Sequence, residues 1–127
     1  MWEFMNLKAN TNELKRLIDE RHQRFLNTEG PVDKKNYDFF NQVKKETDPM
    51  FRLTNEWVKE AEAFVKDRKT NVHPNQVKST HENIEMIILH SYYLDVHRKR
   101  FKELYQSSHY VLDMVLDDIE QNEKSSS

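Results

Sequence analysis

The stretch DKKNYDFFNQVKKETDPMFRLTNEWVKEAEAFVKDRK, Asp33 to Lys69, decides the fold. Tyr37, Phe40, Val43, Thr47, Phe51, Thr54, Trp57, Ala61 and Phe64 recur along it at three- and four-residue spacing. That spacing puts them on one face of a helix, with charged residues opposite. The period survives Asp48-Pro49. Proline there removes one backbone donor and crowds the preceding turn, so the pattern predicts one long helix kinked at Pro49 rather than two helices. Asp33 is the expected N-cap.

Similar stripes lie on either side. Leu7, Leu14, Leu17, Ile18 and Phe25 predict a first helix over about Leu7 to Leu26. The segment Asn27 to Val32, with Gly30-Pro31, is the clearest break. After a turn over Thr70 to His73, Pro74 sits where a helix can begin without its N–H. Val77, His81, Ile84, Ile87 and Ile88 mark the third helix. Tyr92, Tyr93 and Leu94 are consecutive, which no single helical face explains, so a short turn is expected over Ser91 to Val96. The fourth helix runs from about Val96 to Glu120 on Phe101, Leu104, Tyr105, Ser108, Val111, Leu112, Val115 and Ile119. Asn122 to Ser127 reads as a polar, frayed tail. Short connections join antiparallel neighbours, so the reading is all-α: an up-down four-helix bundle in one domain over residues 1–127.

Composition supports this and narrows function. One glycine in 127 residues cannot supply the turns of a sheet protein, nor a Gly-rich phosphate loop or dinucleotide fingerprint. The absence of cysteine removes thiol chemistry, disulfides and Cys-based zinc sites. Charged residues make up 33% and aromatics 11%, the balance of a slender bundle with wet outer faces rather than of a disordered chain. Met1-Trp2-Glu3-Phe4 has neither a basic nor an apolar leader character, and no apolar run reaches membrane-spanning length. The expected location is the cytoplasm, with no membrane partner.

The segment Arg100-Phe-Lys-Glu-Leu-Tyr-Gln-Ser-Ser-His-Tyr-Val-Leu-Asp, the preceding Ile88-Leu-His-Ser-Tyr and the His73-Pro74 helix start resemble the YppE-like family of small proteins from Bacillus-type bacteria. The resemblance covers nearly the whole chain and implies a four-helix bundle. It implies no activity, cofactor or catalytic residue.

Three constellations compete for function. The six histidines invite a metal, because bundles hold metals between facing helices. The Glu-x-x-His pair of di-iron proteins is missing, and His81-Glu82 lacks the second His of a zinc peptidase. Up-down topology would bring His22, His90 and His97 toward one end, near Asp19 and Asp95, and His81/Glu85 toward His109/Asp113. The ordinary alternative is a set of boundary histidines with local hydrogen bonds, and it is favoured.

The run His97-Arg98-Lys99-Arg100-Phe101-Lys102 places cations where the helix dipole disfavours them, and Asp113, Asp117, Asp118 and Glu120 do the same for anions at the other end. The favoured reading is a solvated face neutralised by neighbouring helices. Alternatively the cations take an acidic partner, a second copy or phosphate. A net charge of -2 and the lack of a recognised motif speak against nucleic acid. Finally Trp2, Phe4, Tyr92, Tyr93 and Tyr110 fit the stripes poorly and suit either a capped core or a contact patch. With no nucleophile–base pair in view, the leading expectation is a non-catalytic protein-interaction module without a cofactor. Its patch is Arg98, Lys99, Arg100, Lys102, Tyr92 and Tyr93, its partner another protein or a second copy. A metal-binding bundle using His22, His90 and His97, with a metal-dependent enzyme as its catalytic form, stands second.

Overall fold

The computed structural model describes residues 5–67 and 70–125. Trp2, Phe4 and the expected helix end at Lys69 lie outside them. Four helices follow in order: α1 over Met5–Asn27, α2 over Tyr37–Asp67, α3 over Pro74–Tyr93 and α4 over Arg98–Ser125. Partner residues run in opposite directions on α1 and α2 (Asn10 with Glu60, Thr11 with Trp57), on α2 and α3 (Glu46 with Tyr92, Asn55 with His81) and on α1 and α4 (Lys8 with Glu123, Lys15 with Asp113). The bundle is therefore up-down-up-down. It is not square: α1 and α3 pack on each other as well as on both outer helices, while α2 and α4 are held apart. Among the described residues no helix is long and apolar enough to cross a membrane.

α2 is continuous, with Pro49 inside it. The proline leaves the Lys45 carbonyl without its usual donor, but tertiary burial on either side, at Val43, Thr47, Thr54 and Trp57, outweighs one missing bond. The N-cap is Asn36, not Asp33. Asn36 Oδ1 accepts the Phe39 N–H at 2.9 Å, while Asp33 closes the turn before it by accepting the Lys35 N–H at 2.9 Å. At α3 the expected Pro74 start holds, and His73 caps it. Its Nδ1 accepts the Asn75 N–H, and Gln76 Oε1 reaches back to the His73 N–H.

Three expectations are corrected. Tyr92 and Tyr93 belong to α3, which stops at Leu94 in the left-handed region, φ 54°. The consecutive aromatics obscured this because one faces the core and the other the rim. The tail is helical through Ser125, supported by Lys8–Glu123 at 3.6 Å and Asn122 Nδ2 on the Asp118 carbonyl. Tyr37 and Phe40 are not core; they are 75% and 50% exposed. The α1–α2 pairing explains it. Asn10 meets Glu60 and Thr11 meets Trp57, so Asn27, the last residue of α1, comes level with about Asn41 to Val43. The first turn of α2 overhangs.

That register is set by a buried polar chain. Trp57 is fully buried, and its Nε1–H donates to Thr11 Oγ1 at 3.0 Å; Thr11 in turn donates to the Leu7 carbonyl at 2.6 Å. The indole has one donor and no water to take it, so the acceptor must be where Thr11 puts it. Replacing Thr11 by Val keeps the shape and orphans the indole N–H. Thr11→Val should lose about 1–3 kcal/mol in urea unfolding with an unchanged m-value, and Thr11→Ser, which keeps the hydroxyl, should lose less.

Candidate functional site

The predicted patch, with His90 and His97, lies at the end of the bundle made by two loops, 28–36 and 94–97. Leu94 lies under Gly30, with its Cδ1 3.6 Å from where a Cβ would stand. Lys34 Nζ meets Asp95 Oδ2 at 2.8 Å, and His90 Nδ1 meets Asp95 Oδ1 at 2.7 Å. One carboxylate thus ties the first loop to the last turn of α3. The Lys34 ammonium, with His90 beside it, holds Asp95 down at about 2.

α4 starts just beyond. Arg98, Lys99, Arg100 and Lys102 are all exposed. Arg100 meets Glu103 at 3.6 Å, while Arg98, Lys99 and Lys102 form no ion pair among the described residues. The opposite end differs. Asp113 is taken by Lys15 at 2.7 Å and Glu120 by Lys124 at 3.6 Å. Asp118, nearly buried, accepts the Thr70 hydroxyl and, at 2.9 Å, the Asn71 N–H, closing the α2–α3 connection. Asp113, Asp118 and Glu120 thus have partners, while Asp117, like Arg98, Lys99 and Lys102, forms no ion pair among the described residues.

Tyr93 is half-buried at this end and meets the Phe39 ring edge-on, 5.8 Å between centroids. Tyr92 is 1% exposed, so it cannot belong to a surface patch. Its hydroxyl donates to Glu46 Oε1 at 2.9 Å, and burial, aided by that bond, pushes the phenol above its ordinary value. The exposed aromatics here are instead Tyr37 and Phe40.

The histidines are dispersed. His22 lies on Tyr105 (centroids 4.3 Å) and Phe101 (5.8 Å), and burial pushes it below its ordinary value. His90 serves Asp95, and His97 is exposed at the start of α4. His81 Nε2 faces Asn55 Oδ1 at 2.8 Å, and His109 Nε2 faces Asp19 Oδ1 at 2.7 Å rather than meeting His81. Among the described residues no group of three or more His, Cys, Asp or Glu is placed to hold a metal ion. Neither His22/His90/His97 nor His81/Glu85/His109/Asp113 forms a ligand set. His22, His81 and His109 have instead been drawn to partners across helix–helix seams.

Two clusters escaped the sequence. Asp19 accepts from the Tyr105 hydroxyl at 2.5 Å beside His109. Burial works to raise Asp19, but these two bonds outweigh it and hold the carboxyl low; Tyr105, half-buried and bonded to an anion, rises to about 12. Arg21 and Arg24 lie over the Tyr92 ring. Their three-residue spacing on α1 was visible, but placing Tyr92 in a turn removed the surface they cover.

Comparison with known proteins agrees with this architecture. Residues 11–119 match the family model described as a bacterial domain of unknown function, DUF1798. The chain is 33% identical over 92 residues to the uncharacterized protein YppE of Bacillus subtilis, across 72% of this chain and 75% of that one. The crystal structure of YppE superposes with a TM-score of 0.81 at 25% identity, covering 93% of this chain and 95% of that one. A Listeria innocua protein of unknown function gives 0.81 at 22% identity, over 97% and 98%, a likeness of fold alone.

The Asp95 tie gives a pH signature. Its folded pKa, about 2, lies below the value of about 3.9 expected unfolded. Its contribution is therefore present above about pH 4 and lost as pH falls from about 4 to 2. The side chain is 36% exposed, so screening reduces the effect to about 1 kcal/mol. Asp95→Asn should be less stable than wild type by that amount in urea at pH 7, and the two should converge near pH 2.

Proposed function

The chain belongs to the DUF1798 family, and from that premise we propose that it works as a non-catalytic interaction module that docks an acidic protein partner on its two-loop end. The family description brings no activity or ligand, so the reading rests on the surface. The observation that carries it is the asymmetry of α4. Among the described residues Arg98, Lys99 and Lys102 stand unpaired and exposed at one end, whereas at the other only Asp117 lacks a partner and Asp113, Asp118 and Glu120 are engaged. An unpaired cation cluster against the helix dipole is destabilising in the free protein, and an acidic partner relieves it. The same end overhangs two exposed aromatics, Tyr37 and Phe40, of the type that anchors interfaces, while Lys34–Asp95 holds the loops in place between them.

A second copy fits less well. Its complement would be the acidic end of α4, most of which already has a partner. Metal chemistry lacks a ligand set among the described residues. Expression in the cytoplasm remains part of the reading.

The test is charge reversal. The tagged full chain and its Arg98→Glu/Lys99→Glu/Lys102→Glu variant are compared as baits for the same captured partner. Retention should fall at least about tenfold in the variant and fall with added salt for wild type, since rim charges act through steering and screening. A control reversal at Lys59, on α2 away from this end, should retain the partner. Equal retention by wild type and the triple variant would remove the basic end from the reading.

A further inference from the structure

α3 and α4 leave a groove of about 290 Å³ between them, open to solvent on one side. Asn75, Gln76, Ser79, Thr80 and Asn83 line it from α3. Ser107 and Val111 line it from α4. None of these residues is charged, in a chain that is 33% charged. All but Val111 carry a neutral amide or hydroxyl. Gln76 Oε1 is taken by the His73 N–H at 2.8 Å. The side chains of Asn75, Ser79, Asn83 and Ser107 form no hydrogen bond among the described residues.

Thr80 separates this groove from ordinary wet surface. It is 2% exposed. The other buried threonines, Thr11, Thr47 and Thr54, each donate to a carbonyl of their own helix. The Thr80 hydroxyl does not, and it has no other partner among the described residues. Nor is its oxygen sealed, unlike the Ser108 hydroxyl, which has neither partner nor solvent. What remains accessible of Thr80 therefore includes its hydroxyl, which opens into the groove the residue lines. Buried hydroxyls are matched by protein, water or ligand, and here the match comes from the groove.

The lining selects the ligand. An ion would give up hydration with no countercharge in return, so the ligand is neutral. Amides and hydroxyls both donate and accept, which suits a ligand whose polar groups do the same. Val111, 6% exposed, gives the floor an apolar spot, and Tyr110, 63% exposed, stands one turn from Ser107 along α4. Hydroxyls on its edge and C–H groups on its face describe a sugar ring. The volume, at the small end of ligand sites, holds about one such ring. We propose that the α3–α4 groove binds a neutral monosaccharide unit, with Thr80 and Asn83 pairing its hydroxyls and Tyr110 flanking its C–H face. No carboxylate lines the groove, so it holds a sugar without cleaving it. It lies along the first half of α3, away from the basic start of α4, and stands whether or not that end docks a partner.

The test titrates the 15N-labelled full chain with glucose, galactose, mannose and N-acetylglucosamine in turn, reading the Asn75 and Asn83 side-chain NH2 resonances. At least one sugar should move them saturably at millimolar concentration. The same sugar should bind Thr80→Val about three- to tenfold more weakly, the loss of one hydrogen bond. Asn83→Ala, read at Asn75, should weaken it similarly and serves alone if Thr80→Val fails to fold. The Arg98→Glu/Lys99→Glu/Lys102→Glu variant should bind it as wild type does. Four sugars that leave both amides unmoved, or move them only in proportion to concentration, overturn the proposal. So does an affinity unchanged in both groove variants. Saturation by acetyl-triglycine amide where the sugars fail overturns it too, and gives the groove to a peptide.

Discussion

The indole N–H of Trp57 sits where no water reaches, and much of the molecule follows from how it is satisfied. Its acceptor is Thr11, whose own proton goes to the Leu7 carbonyl. A slip of one turn between α1 and α2 would strand that donor and unseat the largest side chain of the core, so the two helices have one register. From that register comes the overhang of α2 beyond Asn27, and with it the exposure of Tyr37 and Phe40. From it also comes the level at which Glu46 reaches the Tyr92 hydroxyl. The loops then close over the end by Lys34, His90 and Asp95.

α4 carries charge against its own dipole in its first turn only. The helix runs on to Ser125, which leaves Asp113, Asp117, Asp118 and Glu120 more than a turn from its C-terminus, where the macrodipole no longer acts. Asp118 holds the Thr70 hydroxyl and the Asn71 N–H and so builds the neighbouring connection. Asp113 pairs with Lys15 on α1. Among the described residues Arg98, Lys99 and Lys102 have no such partner.

Helix number, order and direction were legible because they rest on periodicity, which is local. The stripe through Pro49 predicted a continuous α2, and His73-Pro74 marked the start of α3. What failed depended on level rather than period. Tyr37 and Phe40 carry the right spacing for a core face but lie past the end of the helix they would pack on. Tyr92 and Tyr93 broke the pattern and yet continue α3, one inward toward Glu46, one toward Phe39. The histidines were placed near the correct ends, but spacing along one helix says nothing about which acceptor waits across the seam. Asn55 took His81 and Asp19 took His109. Arg98, Lys99, Arg100 and Lys102 crowd into the first turns of α4 and are all exposed.

Where a partner touches the bundle is the most direct measure of the docking end. A photo-reactive residue placed in turn at Tyr37, Lys99, Lys59 and Asp117 of the full chain, in living cells of its native host, samples both ends and one flank. Crosslinks to one and the same protein from Tyr37 and Lys99, and none from Lys59 or Asp117, are the predicted result. Crosslinks confined to Lys59 or Asp117, or equal at all four positions, would contradict it.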